Sequence, residues 1–275
     1  MSALSPTLVS VITICRHATN LIEPTMISVL QQTYPHIEYL IVDGGSTDTT
    51  LQIVQRIAER FPERTLRTIS EPDQGIADAM NKGVKLANGE LIIHLHAGDR
   101  FIDPQVIEQV VASYTQHGWR WGVAGSIVVS EQNAREHVYR PCSDYRVLLK
   151  KNCIPHQSTF LVRDIFTQHG LFSTDFKQAM DYEFWLRIAF RGHERPYALP
   201  FNTTYFLAGG RSSKITELLK YLVYTRYMLH QLIPTLSLGD DAIFLGRVLL
   251  FWYYAQLKSL LHQWNSSASL RWGAK

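Results

Sequence analysis

"LIIHLHAGDRF", Leu91 to Phe101, runs from a short apolar stretch through two histidines into Gly98-Asp99 and then a charge. An apolar run of this length, closed by glycine, reads as a buried strand that delivers one carboxylate to the edge of a sheet. Asp99 is then open to three readings: a metal ligand, a helix cap, or one member of a paired acid site. The neighbouring segments decide what kind of sheet it belongs to.

Working outward, strand and helix signals alternate. "TLVSVITIC" (Thr7–Cys15) is β-branched and apolar, and a helical segment follows around Ile22–Gln32. "IEYLIVDGG" (Ile37–Gly45) is a second strand ending in glycines, and Ser46, Thr47 and Asp48 start a helix running to about Phe61. "TLRTISE" (Thr65–Glu71) is a weaker third strand. Ile76, Met80, Val84 and Ala87 then fall at helical spacing within Gln74–Ala87. Near-continuous apolar strands separated by helices predict an α/β domain with a parallel sheet covered on both faces. Beyond Phe101 the pattern loosens. A helix from Asp103-Pro104 to about His117, a strand at Trp121–Ser130, an irregular polar stretch to Asn152, a strand leading into a helix within His156–Phe166, and a helix over Gln178–Gly192 are expected.

The chain has 275 residues, 46% hydrophobic and 19% charged, enough for one large α/β domain with an appendage. A net charge of +3 without a dense basic tract gives no footprint for nucleic acid. From Lys214 onward there are seven Lys/Arg against three Asp/Glu, and nine aromatic residues lie between Tyr221 and Trp264. Two long helices are expected there, Glu217–Leu232 and Ala242–Trp264, split by Pro234 and Gly239. Arg247 and Lys258 interrupt the second, so packing on the body or in-plane membrane contact fits better than a span. Residues 1–213 form the expected domain, in halves of about 1–101 and 102–213, and 214–275 the helical extension. Cys15, Cys142 and Cys153 are odd in number and lack CxxC spacing, which favours reduced thiols. No Lys or Arg precedes Arg16, unlike a signal peptide. A cytoplasmic location is expected, with the tail suited to the inner face of the cell membrane.

In an open parallel sheet, ligands sit beyond the carboxyl ends of the strands. The first strand ends near Thr13–Arg16, the second at Asp43-Gly44-Gly45, the third at Glu71-Pro72-Asp73 and the fourth at Gly98-Asp99. Asp43, Asp73 and Asp99 therefore converge on one rim. Any one of them alone is as well explained by a turn or cap. "DGGSTD" is neither GxGxxG nor a Walker A loop, so hydride transfer and ATP hydrolysis have little support.

"SVITICRHA" (Ser10–Ala18), "IEYLIVDGGSTDTT" (Ile37–Thr50), "EPDQGIADAMNKGVKLANGELIIHLHAGDRF" (Glu71–Phe101) and "MDYEFWLR" (Met180–Arg187) together resemble the motifs of family 2 glycosyltransferases of the GT-A fold. The wording is similar to enzymes of bacterial exopolysaccharide and lipopolysaccharide synthesis, the colanic-acid type among them. The resemblance covers roughly residues 7–210. It implies a Rossmann-like, mostly parallel sheet with helices on both faces, and an inverting transfer of sugar from a nucleotide-sugar, UDP-linked by preference, to a glycan or lipid-linked acceptor. It further implies Thr13, Cys15, Asp43, Asp73, Gly98 and Asp99 around the nucleotide-sugar, with Asp43 on the nucleobase and Asp73 near base and ribose. Asp99 becomes the surviving acid of a DxD-type motif, holding Mg2+ or Mn2+ on the diphosphate, and Asp181 the general base. An Asp in the first turn of a helix meets the positive end of the helix dipole, which suits a carboxylate acting as a base. His156 and Gln157 fall on the acceptor or diphosphate side. Arg211, in "GGRSS", is either an anion contact or part of a linker. Lys82 and Arg187 read as solvated helix charges.

Two rivals stay open on chemistry. His94, His96 and Asp99, with His156, form a ligand set for a zinc hydrolase, since His-x-His on a strand puts both rings on one face. His96 also stands where the resembled family usually has Asn. A catalytically inactive nucleotide-sugar binding protein is the other, invited by "AGD" in place of two acids.

Overall fold

The computed structural model describes residues 6–130, 136–142, 144–176 and 178–208, together with Arg226, Tyr227, Leu229, His230, Ala242, Gly246 and Leu250. The chain divides into two compact units, residues 1–210 and 211–275. The seven described residues of the second unit are helical. No helix among the described residues is long and apolar enough to cross a membrane.

The described residues of the first unit form nine strands: β1 (Val9–Cys15), β2 (Ile37–Asp43), β3 (Thr65–Ser70), β4 (Leu91–His94), β5 (Arg100–Phe101), β6 (Trp121–Ser130), β7 (Glu136–Tyr139), β8 (Thr159–Val162) and β9 (Tyr197–Ala208). Six helices accompany them: α1 (Ile22–Leu30), α2 (Thr50–Ala58), α3 (Ile76–Leu86), α4 (Val106–His117), α5 (Asp164–His169) and α6 (Met180–Leu186). The sheet order is β3-β2-β1-β4-β8-β6-β9-β5, with β7 on β6. β3, β2, β1 and β4 are mutually parallel, as expected. The second half is mixed: β8 runs antiparallel to β4 and β6, whereas β6 and β9 are parallel.

The apolar composition of β1, β2 and β4 matches their place in the sheet, since every residue in them is buried. β3 is the edge strand, and its mixed sequence leaves it largely exposed. One face of the sheet packs Val9, Val11, Tyr39 and Ile41 against Ile22, Met26 and Val29 of α1 and Val106, Ile107 and Val110 of α4. The other face receives α3, whose Gly83 lies so close to β1 that a Cβ there would stand 2.4 Å from Ile12 Cγ2. Beyond β4, Trp121 of β6 stacks on Trp185 of α6 with centroids 5.5 Å apart, both fully buried.

Three expectations change. The polar stretch after Ser130 contains β7, which pairs with β6. The helix over Gln178–Gly192 begins only at Met180 and widens into a π-turn at Arg187–Arg191. Cys142 and Cys153 are not free thiols but form a disulfide, their Cα atoms 5.8 Å apart. Their eleven-residue separation hid this, because β7 and the returning chain bring the ends of the loop together. Cys15 is free and buried.

Candidate active site

The carboxyl ends of β1 and β2 are joined by a polar network. The Asp43 carboxylate is wholly buried. Its Oδ2 accepts from the Ser46 amide (2.8 Å) and Ser70 Oγ (2.6 Å), and its Oδ1 accepts from Ser46 Oγ and faces Cys15 Sγ at 3.7 Å. Burial alone pushes an acid up, yet these donors more than offset it and hold Asp43 below its ordinary value. Burial, followed by the Asp43 charge, pushes the Cys15 thiol up to about 12, so it stays neutral. Asp48 ties the two loops together: Thr50 and Thr19 donate to it, and its carboxyl is held down at about 2 chiefly by Thr50. Ser46, Thr50 and Ser70 are working parts of this rim that sequence reasoning missed. The "GSTDTT" stretch, Gly45 to Thr50, signals the first two as a helix start, but nothing local links Ser70 to Asp43.

The protein itself engages two of the expected residues. Both oxygens of Asp43 accept hydrogen bonds from the protein. Thr13 is fully buried, its hydroxyl shared between Tyr39 Oη (3.0 Å) and the Leu95 carbonyl (2.7 Å). Asp73, in contrast, reaches across the rim. Its Oδ1 accepts from the Gly75 amide at 2.9 Å, and a Cβ placed on Gly44 would stand 2.0 Å from its Oδ2. The bare backbone of Gly44 therefore makes room for the Asp73 carboxylate. Lys82 is not a solvated charge: it donates to the Pro72 carbonyl (2.7 Å) and pairs with Glu71 (2.9 Å), pinning the loop that carries Asp73.

The second group of residues lies past β4. The chain beyond His94 keeps pairing with β1 through Leu95 and Ala97, then turns at Gly98, whose φ of +105° favours glycine and whose amide donates to Thr25 Oγ1. This turn buries Asp99. Burial pushes its carboxyl up to about 8, partly offset by backbone hydrogen bonds from His96 and Leu207. His156 Nε2 stands 4.0 Å from Asp99 Oδ2, and its Nδ1 stands 3.8 Å from Asp181 Oδ2. One imidazole thus lies between the candidate metal ligand and the candidate base. Asp181 sits in the first turn of α6, after Ala179 in the left-handed conformation, and accepts from Asn152 Nδ2 at 3.3 Å. Asn152 is another contributor the sequence did not flag.

A buried carboxylate whose charge the surrounding donors do not balance, beside a buried His156 Nε2 with no hydrogen-bond partner, suits a divalent cation. The zinc-hydrolase set fails. His94 lies against the Met80 carbonyl (3.3 Å) and the Phe172 ring, and burial pushes its pKa down to about 3. No cluster of three or more His, Cys, Asp or Glu among the described residues is placed to hold a metal. His96 instead packs its ring on His156, centroids 4.6 Å apart.

Gln157 is buried, and its amide donates to Ser126 Oγ (3.2 Å), so it anchors the turn. Arg187 is likewise not a solvated charge: it clamps Glu183 (2.7 Å) and the Leu171 carbonyl (2.7 Å) under α6. Arg211 lies outside the described residues.

The sequence model of glycosyl transferase family 2 matches residues 10–184. An uncharacterized glycosyltransferase of Mycobacterium tuberculosis, MT1564, is 35% identical over 185 residues, covering 66% of this chain and 68% of that one. Among solved structures, TarS 1–349 of S. aureus, in complex with UDP-GlcNAc, superposes with a TM-score of 0.64 at 17% identity, over 88% of this chain and 71% of that one. The mannosyltransferase PcManGT of Pyrobaculum calidifontis, in complex with GDP-Man and Mn2+, gives a TM-score of 0.62 at 19% identity, over 98% and 88%. The family match spans well over half the chain and the fold agrees, so this protein belongs to glycosyl transferase family 2 and is a glycosyltransferase of GT-A fold.

Proposed function

We propose that the enzyme transfers a sugar, with inversion, from a UDP-linked donor to a glycan or lipid-linked acceptor in polysaccharide biosynthesis. The observation that supports this reading is the line Asp99–His156–Asp181, two carboxylates on either side of one imidazole. The acceptor hydroxyl oxygen attacks the anomeric carbon, and the bond to the diphosphate breaks with its electron pair on the leaving oxygen. The hydroxyl proton passes to Asp181, held by Asn152. Asp99 would hold Mg2+ or Mn2+, which would offset the charge growing on the diphosphate. Asp73, over Gly44, reads the base and ribose, while Asp43 keeps that rim in shape. Asp73 has one carboxylate oxygen engaged by the Gly75 amide, leaving the other to face a ligand.

A cavity of about 390 Å3, lined in part by His137, Tyr139, Arg140 and Lys151, supports an acceptor that carries negative charge. Tyr139 connects this cavity to Asp181: its hydroxyl donates to the Asn152 carbonyl at 2.9 Å, and burial, followed by the Asp181 charge, pushes its pKa up. The basic, aromatic residues 214–275 suit a membrane-facing surface, where a lipid-linked acceptor resides.

Asp181→Asn tests the assignment. Transfer from a panel of nucleotide-sugars should fall by roughly 10²–10⁴-fold, while UDP binding measured by calorimetry stays near wild type. Transfer at a rate close to wild type assigns the base to another residue.

A further inference from the structure

We propose that His156 is the second protein ligand of the divalent cation, sharing it with Asp99 through Nε2. This deepens the cation reading of Asp99 and rests on it. The chain offers a single acid in "AGD", so one carboxylate must hold the ion unless another element supplies a partner. The structure supplies one from the neighbouring strand connection, in the turn before β8, which pairs with β4.

Distance comes first. Oxygen and imidazole ligands sit roughly 2.0–2.2 Å from divalent ions, so two ligand atoms on one ion stand between about 3 Å (adjacent) and a little over 4 Å (opposite). Asp99 Oδ2 and His156 Nε2 are 4.0 Å apart, too far for a hydrogen bond and within the span of one bridging cation. The second observation is independent. His156 Nε2 is buried and has no hydrogen-bond partner, an uncommon state for a polar atom that calls for an explanation.

The rest of the ring is flanked by the protein. Nδ1 faces the Asp181 carboxylate at 3.8 Å, beyond hydrogen-bond distance but on the side from which a second carboxylate orients metal-binding histidines. The His96 ring packs against one face. Below it, the Ser158 amide and Thr159 Oγ1 both donate to the Pro155 carbonyl, at 3.1 and 2.7 Å, and buried Gln157 is tied to Ser126. His156 therefore projects from a braced turn. Imidazole is a softer ligand than carboxylate or water, so this pair favours Mn2+ over Mg2+ more than Asp99 alone does.

The test uses the full chain with UDP and Mn2+. Electron spin-echo modulation of bound Mn2+ should show a directly bonded nitrogen in the wild type. That signal should change on 15N-histidine labelling and vanish in His156→Ala. Mn2+ affinity, read from the free-ion signal, should fall on the order of tenfold or more in His156→Ala, and Mg2+ affinity by less. A wild-type complex without a directly bonded nitrogen, or a nitrogen signal that survives His156→Ala, overturns the proposal; neither readout depends on a variant being active. Asp99→Asn separates the two levels of the argument. Lost Mn2+ binding there, with no nitrogen in the wild type, removes His156 alone. Unchanged Mn2+ binding in Asp99→Asn removes the cation reading itself.

Discussion

Replacing Asp99 by Asn should make the metal-free protein more stable at neutral pH, by an amount that grows with pH. The ordinary carboxyl value of 3.8 is raised to about 8 by burial. Between those values the folded state keeps a proton that the unfolded chain has released, so the stability Asp99 contributes at low pH is lost as pH rises from about 4 to about 8. At roughly 1.4 kcal/mol per pH unit the loss reaches about 4 kcal/mol by pH 7 and about 5 kcal/mol at pH 8, a large part of a typical folding free energy. His156, the nearest titratable side chain, supplies no compensating charge there: burial lowers its pKa, and the Asp181 charge only partly restores it. Asn keeps the shape and never ionises. Urea unfolding in EDTA at pH 5, 6, 7 and 8 should therefore show the two proteins closest at pH 5 and diverging by up to about 1.4 kcal/mol per unit above it. Saturating Mn2+ should close the gap by stabilising only the wild type. Parallel stability profiles from pH 5 to 8 would refute the reasoning, since they would mean Asp99 is as well solvated folded as unfolded.

Two further substitutions probe the rim and the scaffold. Gly44→Ala places a Cβ 2.0 Å from Asp73 Oδ2 and should displace that carboxylate; UDP binding by calorimetry should weaken about tenfold, or roughly 1.4 kcal/mol, with little change in Tm. Gly89→Ala sets a Cβ 2.5 Å from the Ser10 backbone nitrogen and 2.9 Å from the Leu8 carbonyl, where neither neighbour can swing aside, so unfolding experiments should register a loss of about 1–3 kcal/mol.

The parallel half of the sheet is legible because physics there is local. β1, β2 and β4 are covered on both faces, so most of their residues are apolar, and each run stops at a charged residue or a glycine, Arg16, Asp43 and Gly98. The other half is less so: β6 and β8 fall within the expected strands, but β5 and β7 are only two and four residues long, too short to carry a pattern, and β5 pairs with the distant β9. The site divides the same way. Asp99 announces itself, following the glycine that closes a buried apolar run. The occupancy of Asp43 does not, because Ser70 donates to it from 27 residues away. His156 is the sharpest case. In the sequence it is a histidine after a proline, as well explained by a satisfied loop as by function. Only the antiparallel return of β8 beside β4 carries it to Asp99, 57 positions earlier, and only α6 carries Asp181 to its other nitrogen. The missing acid of "AGD" is thus not a decayed feature to be judged by its own segment. Whether the site is complete depends on which side chain the second half of the sheet delivers to the first.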